Sequence, residues 1–181
     1  MLTEIIISGF GGQGVLFSGK LLAYAALHLG KELSWLPSYG PEMRGGTANC
    51  SVCLSDEPIG SPLVTEPDIL IAMNAPSFDK FESTVKPGGI IFADSSLIDR
   101  KTTRDDITCF YVPSTEIAQE NSLTGMANIV LLGKVIKECE DRLIGINLDS
   151  IAATLEKIIP PKKKALVEKN TEALRIGYGI E

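Results

Sequence analysis

The sequence predicts an α/β protein in which a mainly parallel sheet is covered by helices on both faces. Up to residue 113, short apolar and β-branched runs alternate with helical patterns, and a glycine-rich turn joins the first run to the first helix. Strands separated by helices are typical of βαβ units. The length of 181 residues predicts a single domain. We expect an α/β core over residues 1–139 and a helical tail over residues 140–181.

The elements follow in a regular order. β-branched residues predict a buried strand from Ile5 to Ser8, and apolar residues at helical spacing predict a helix from Val15 to Leu29. Further strands are predicted from Leu33 to Leu36, Thr47 to Leu54, Asp68 to Met73, Ile90 to Ala93 and Ile107 to Val112. Further helices are predicted from Ser77 to Thr84, Thr115 to Glu120, Met126 to Cys139, Ser150 to Ile159 and Lys162 to Arg175.

Charge and hydropathy disfavour several function classes. The formal net charge is −6 and the pI is near 4.9, the wrong sign for a surface that attracts a phosphate backbone. Apolar runs such as Ile69–Met73 are far shorter than the ~20 residues that cross a bilayer. The first residues lack a basic leader. We expect no nucleic-acid partner, no membrane span and a cytoplasmic location.

The cysteines do not predict a metal or redox site. Cys50 and Cys53 form a CxxC pattern, but their segment reads as a strand, on which side chains three apart face opposite sides. Cys109 and Cys139 stand alone, and His28 is the only histidine. We therefore expect Cys50 and Cys53 to be small strand residues, and we assign no catalytic residue and no metal ligand to this chain.

The segment Gly9-Phe10-Gly11-Gly12-Gln13-Gly14 satisfies GxGxxG between a predicted strand and a predicted helix. That context is typical of a Rossmann-like three-layer sandwich, whose glycine turn and helix N-terminus offer N–H groups to a phosphate. A standard NAD site has an acidic residue about 20 residues further on. The stretch Ser34–Tyr39 has none. The alternative is a turn that serves only to pack the helix.

Small polar residues follow other predicted strands, where open parallel sheets bind ligands. Asn74, Asp94 and Ser95 are therefore candidate ligand contacts together with Gly9, Phe10, Gly11, Gly12, Gln13 and Gly14. Asn, Asp and Ser at such turns are also ordinary helix caps, and for each residue alone this is the more common role.

A second candidate site is the loop between the second and third strands. It consists of Ser38, Tyr39, Gly40, Pro41, Glu42, Met43, Arg44, Gly45 and Gly46. Its prolines restrict the backbone and its glycines permit turns, as in shaped functional loops. Arg44 is suited to a bidentate carboxylate or phosphate contact, and Tyr39 to stacking on a ring. A contact with another subunit is the equal alternative.

Three segments together resemble a known family. They are residues 9–15, the Ser38–Gly46 loop with the strand after it, and Pro67-Asp68-Ile69-Leu70-Ile71-Ala72-Met73-Asn74. From residue 1 to about residue 135 the chain is similar to the gamma subunit of the thiamine-diphosphate-dependent 2-oxoacid:ferredoxin (acceptor) oxidoreductases. The GGQG element joined to the YGPEMRGG loop is more specific than either alone.

The resemblance implies a subunit of an enzyme that decarboxylates a 2-oxoacid oxidatively and transfers the acyl group to coenzyme A. Thiamine diphosphate, Mg²⁺ and the iron–sulfur clusters would be held by other subunits. The implied partners are alpha, beta and ferredoxin-like delta subunits, with ferredoxin or a similar acceptor reached through the complex. The gamma chain would help to bind coenzyme A beside the thiamine site, and overall likeness favours 2-oxoglutarate as substrate.

Two function hypotheses of different classes remain. The first is this non-autonomous enzyme subunit. The second is a stand-alone Rossmann-like regulatory module that binds NAD or an adenine nucleotide. The missing acidic residue after the second strand favours the first hypothesis.

Overall fold

A six-stranded sheet forms the centre of the computed structural model, which describes residues 1–38 and 47–181. The strands are β1 (Leu2–Phe10), β2 (Glu32–Ser38), β3 (Thr47–Ser55), β4 (Ile69–Ala72), β5 (Ile90–Asp94) and β6 (Thr108–Val112), in the order β2-β3-β1-β4-β5-β6. The pairs β1–β4, β4–β5 and β5–β6 are parallel, whereas β3 is antiparallel to both of its neighbours. The predicted mainly parallel sheet is confirmed.

In the described part of the chain, six α-helices cover the sheet: α1 (Val15–His28), α2 (Ala75–Phe81), α3 (Ser114–Glu120), α4 (Ala127–Glu138), α5 (Leu148–Ile158) and α6 (Lys164–Gly179). Short 3-10 turns follow α2 at Glu82–Thr84 and precede α6 at Pro161–Lys163. The helix predicted from Ser77 to Thr84 therefore starts two residues earlier and ends as a tighter turn.

The two faces of the sheet carry separate hydrophobic clusters. Ile5 and Ile7 of β1 lie in a large cluster with residues of α1, α4, α5 and α6. Ile6 lies in a smaller cluster with Phe78 of α2. Because side chains alternate along a strand, one β-strand supplies both cores. The predicted α/β class, with helices on both faces and a helical C-terminal segment, is confirmed.

Cys50 and Cys53 follow the same alternation. Cys50 is buried in the large cluster and Cys53 in the small one, on opposite faces of β3. Their predicted role as small strand residues is confirmed, and they do not form a thiol pair. In the described ranges, none of the helices has the length and apolar character needed to cross a membrane.

Two glycines allow α4 and α6 to cross at close range. A Cβ on Gly177 would lie 2.7 Å from the carbonyl carbon of Val130, and a Cβ on Gly133 would lie 2.7 Å from the backbone nitrogen of Tyr178. Any larger residue would push the two backbones apart. The crossing thus fixes α4 relative to α6, and α4 carries a residue of the candidate site.

Candidate functional site

A cleft of about 190 Å³ lies at the carboxyl ends of the parallel strands. Gly12 and Gln13 of the glycine turn form one wall. The other lining residues are Met73, Leu97, Thr115, Ala118, Gln119, Thr124, Gly125 and Ala127. Open α/β sheets bind ligands at this edge, so the cleft and the turn together are the candidate site.

Three glycines are required in the turn for their backbone conformation, for space or for both. Gly12 has φ 98° and Gly14 has φ 74°, a conformation that residues with a side chain rarely adopt. A Cβ on Gly14 would also lie 2.7 Å from Cγ of Asn128. Gly9 is needed for space alone, because a Cβ there would lie 2.6 Å from Oε1 of Gln13.

The turn presents N–H groups at the N-terminus of α1. This helix has Gly14 as its N-cap and no side-chain cap. Within the described part of the chain, no group accepts a hydrogen bond from the backbone N–H of Gly11, Gly12, Gly14 or Val15. Gly11 and Gly12 are exposed. Uncapped donors at the positive end of a 14-residue helix are suited to an anion such as phosphate.

Two amide side chains bond to the backbone of the turn. Oε1 of Gln13 accepts from the N–H of Phe10, and Nε2 of Gln13 donates to the carbonyl of Met73 at 3.0 Å. Nδ2 of Asn128 donates to the carbonyl of Gly14 at 3.1 Å and to Oγ of Ser18 at 3.0 Å. The sequence did not reveal Asn128, because only the folded chain brings α4 to the turn.

Asn74 and Asp94, at the carboxyl ends of β4 and β5, act as a cap and a brace. Oδ1 of Asn74 accepts from the N–H of Ser77 at 2.8 Å, so Asn74 caps α2. Asp94 is fully buried and accepts from the N–H of Ser96 and from the N–H and hydroxyl of Thr115. The N–H of Ser95 donates to the carbonyl of Val112. Asp94 thereby holds Thr115 in the cleft wall, while ligand contacts of Asn74, Asp94 and Ser95 remain predictions.

The second candidate site lies almost wholly outside the described residues. Ser38 is the exposed last residue of β2 and pairs with Asn49 of β3. Tyr39, Gly40, Pro41, Glu42, Met43, Arg44, Gly45 and Gly46 are not described, so their predicted roles stay predictions.

The cysteines have the properties of inert thiols. Burial raises the pKa of Cys50 to about 12 and that of Cys139 to about 12, and it also raises the pKa of Cys53 and Cys109. Thiolates are the reactive form, so these side chains are protonated at neutral pH. Across residues 1–38 and 47–181, no three His, Cys, Asp or Glu residues cluster so as to hold a metal ion.

A mainly parallel α/β sheet with an uncapped glycine turn at its carboxyl edge defines a Rossmann-like domain, and a turn of this kind is suited to an anion. The model of the family described as pyruvate ferredoxin/flavodoxin oxidoreductase matches residues 4–180, and the chain belongs to that family. The predicted resemblance is confirmed.

Individual relatives agree with this assignment. The chain is 38% identical over 183 residues to the 2-oxoglutarate synthase subunit KorC of Methanocaldococcus jannaschii, covering 99% of this chain and 94% of that subunit. The crystal structure of a keto/oxoacid ferredoxin oxidoreductase gamma subunit from Geobacter sulfurreducens matches with a TM-score of 0.84 and 28% identity, covering 98% of this chain and 95% of the other. The chain thus matches separate gamma-type subunits along nearly their whole length.

Other relatives contain this region within longer chains. The chain is 40% identical over 174 residues to the ketoisovalerate oxidoreductase subunit VorA of Methanothermobacter thermautotrophicus, which covers 96% of this chain but 35% of VorA. In VorA of Methanothermobacter marburgensis the matched part is 27% of the subunit, at 46% identity over 130 residues or 72% of this chain. The fold also recurs in a 2-oxoglutarate:ferredoxin oxidoreductase from Magnetococcus marinus solved with 2-oxoglutarate, coenzyme A and succinyl-CoA bound. That match has a TM-score of 0.83 and 22% identity, covering 98% of this chain and 30% of the other.

Proposed function

We propose that the chain works as the gamma-type subunit of a 2-oxoacid:ferredoxin oxidoreductase and that its glycine turn binds a phosphate of coenzyme A. The observation that carries the proposal is the row of N–H groups at Gly11, Gly12, Gly14 and Val15, for which no described residue supplies an acceptor. A phosphate offers several acceptor oxygens and a charge that the helix N-terminus stabilises.

The second strand favours coenzyme A over NAD. A dinucleotide site of this fold has an acidic residue at the end of the second strand, where it binds the ribose hydroxyls. Here β2 ends in Leu36-Pro37-Ser38, and its one acidic residue, Glu32, lies at the opposite end. The Magnetococcus marinus enzyme that shares this fold has coenzyme A bound, which supports the same ligand class.

The proposal assigns the oxidation chemistry to other subunits. Thiamine diphosphate, Mg²⁺ and iron–sulfur clusters would be held by alpha, beta and ferredoxin-like delta subunits, with ferredoxin or a similar protein as acceptor. The match to separate gamma-type subunits supports this assignment, as does the presence of the same region within longer VorA chains.

The 2-oxoacid is proposed to be 2-oxoglutarate. Relatives matched along nearly their whole length include 2-oxoglutarate synthase subunits at 38% and 35% identity, and a pyruvate synthase subunit at 28%. Assays of the assembled complex with 2-oxoglutarate, ketoisovalerate and pyruvate test this choice directly.

A charge-matched pair of variants at Gly12 tests the phosphate site. Gly12→Asp and Gly12→Asn share nearly the same shape and the same backbone strain at φ 98°, and nothing lies within 4 Å of a Cβ there. Two unit charges ~4 Å apart repel by about 1 kcal/mol even in water. We therefore expect the KM for coenzyme A to be at least roughly fivefold higher for Gly12→Asp than for Gly12→Asn.

The difference should shrink as salt screens the exposed charge, whereas the KM for the 2-oxoacid should be the same in both variants. If Gly12→Asp and Gly12→Asn have equal KM values for coenzyme A in the assembled enzyme, the turn does not bind a phosphate of coenzyme A.

A further inference from the structure

We infer that Asn128, in the first turn of α4, is a positioning residue that works with Gln13 to hold the glycine turn in its binding conformation before a ligand arrives. The inference rests on the proposed function, because the ligand concerned is the phosphate of coenzyme A. The described partners of the two amides are all protein groups, namely backbone atoms of the turn and of β4's end and the hydroxyl of Ser18.

Asn128 controls the helix end of the turn. It is 4% exposed, and its Nδ2 donates to the carbonyl of Gly14 and to the hydroxyl of Ser18, which is 2% exposed. The C=O of Gly14 and the N–H of Val15 belong to one rigid peptide plane and point in opposite directions. That carbonyl also accepts the first helical hydrogen bond, from the Ser18 N–H at 3.0 Å, so Asn128 adds a second bond to the peptide plane that sets the direction of the Val15 N–H.

Gln13 controls the strand end of the turn by the same geometry. Its backbone N–H donates to the carbonyl of Phe10 at 3.2 Å, which fixes the plane that carries the Gly11 N–H. Its side chain bonds back to the Phe10 N–H and across to Met73 O, at the ends of β1 and β4. Gln13 thus bonds to the backbone through its side-chain oxygen and one side-chain N–H, which makes it a brace of the turn, while its predicted ligand contact stays a prediction.

Asn128 and Gly14 depend on each other. A Cβ at Gly14 would lie 2.7 Å from Cγ of Asn128, so only glycine admits the amide this close. An apolar side chain of the same size at position 128 would fill the space, but it would offer no donor to the Gly14 carbonyl or to Ser18. The amide is therefore required for hydrogen bonding and not for packing volume.

A turn that is already ordered loses less conformational entropy when a ligand binds, and this raises affinity without a new contact. The two hydrogen bonds that Asn128 donates stabilise the binding conformation of the turn. If all of that stabilisation is lost, the affinity for the ligand falls roughly tenfold. The 2-oxoacid does not contact the turn under this proposal, so its KM should not change.

The test compares Asn128→Leu with a matched control, Asn170→Leu. Asn170 on α6 is also 4% exposed, and its Nδ2 likewise donates to a helix carbonyl, that of Leu166 at 2.7 Å. Both substitutions remove a buried amide donor, keep the shape and add no charge, but only one of them faces the glycine turn. Gln13→Met is a second variant that acts on the strand end, and it carries the test if Asn128→Leu does not fold.

Two readouts are needed. The first readout is backbone hydrogen exchange of the full chain without ligand. Its rate within residues 10–18, read from a peptide that covers them, reports opening of the turn. The KM values for coenzyme A and the 2-oxoacid, measured in the assembled complex, report its consequence.

We expect Asn128→Leu to speed exchange in residues 10–18 and to raise the KM for coenzyme A roughly tenfold relative to Asn170→Leu, with the 2-oxoacid KM unchanged. If Asn128→Leu has the same exchange rate in residues 10–18 and the same KM for coenzyme A as Asn170→Leu, the inference is overturned, because Asn128 is then structural only. Faster hydrogen exchange with an unchanged KM for coenzyme A would support the positioning role of Asn128 and refute coenzyme A as the ligand of the turn. Failure of the positioning inference is therefore distinguishable from failure of the proposed function.

Discussion

The glycine crossing of α4 and α6 makes a quantitative prediction about stability. Gly177 and Gly179 lie two residues apart on α6. A Cβ at Gly177 would lie 2.7 Å from the carbonyl carbon of Val130 and closer still to its oxygen, whereas no atom lies within 4 Å of a Cβ at Gly179. The same substitution, glycine to alanine, therefore meets backbone at one position and open space at the other.

The expected magnitude follows from these distances. Alanine is favoured over glycine in a helix by at most about 1 kcal/mol, and this gain applies in the same direction at both positions. Only Gly177→Ala must push two helix backbones apart, and overpacking of this kind costs about 1–3 kcal/mol. A gap of 0.5–1 Å already forfeits a quarter to a half of the dispersion energy of the contacts around it. We therefore expect Gly177→Ala to be about 1–3 kcal/mol less stable than Gly179→Ala.

Urea unfolding of the full chain, followed by circular dichroism, measures this difference as a shift in midpoint at constant slope. For a chain of this size, 1 kcal/mol corresponds to about 2–4 °C in Tm, so thermal unfolding gives a second readout. Gly133→Ala, on the opposite helix, should behave like Gly177→Ala. Variants at positions 177 and 179 that unfold within about 0.5 kcal/mol of each other would show that the helices do not cross this closely.

Three further predictions concern activity, the undescribed loop and pH. The purified chain alone should not oxidise 2-oxoacids with coenzyme A and a viologen dye, and turnover would end the subunit proposal. Arg44→Lys should impair the reconstituted enzyme nearly as much as Arg44→Ala, by roughly 1.5–3 kcal/mol if a charged hydrogen bond is lost, whereas full activity and unchanged subunit affinity of Arg44→Ala would show a solvated side chain. Burial raises the pKa of Cys50 and of Cys139 from 9.0 to about 12, so the unfolded chain loses these protons first and stability should fall as pH rises from 9 towards 12. In the double variant Cys50→Ala/Cys139→Ala, the urea midpoint should fall less steeply between about pH 8 and about pH 10.5 than in the unaltered chain. A fall identical to that of the unaltered chain would show that these two thiols do not have raised pKa values in the folded state.

The antiparallel direction of β3 follows from the length of the connection before it, and not from the hydrophobic periodicity of the strand. Eight residues, 39–46, separate β2 from β3. Parallel neighbours need a crossover of about a dozen residues or more, so this connection is compatible with an antiparallel pair only. Hydrophobic alternation locates a strand without giving its direction, so the pattern predicts a mainly parallel sheet but not the direction of β3.

Many features of the fold could be predicted from short segments of the sequence. The six strands, the α1 helix after a glycine turn and the opposite faces of Cys50 and Cys53 depend on residue spacing within short segments. The family resemblance rests on the likeness of three short motifs to those of a known family. Side-chain period and turn chemistry are properties of neighbouring residues, so they can be read before the chain folds.

The contacts that hold the candidate site together arise from the packing of elements that are distant in sequence. Asn128 meets Gly14 across 114 positions of sequence, and Gln13 reaches Met73 across 60. No periodicity encodes such pairs, because they depend on how α4, β1 and β4 pack against one another. The motif at residues 9–14 was sufficient to predict a glycine turn before α1, and phosphate binding by that turn stays a prediction. The packing of distant elements decided that Gln13 is bonded to the backbone and that Asn128 orients the turn.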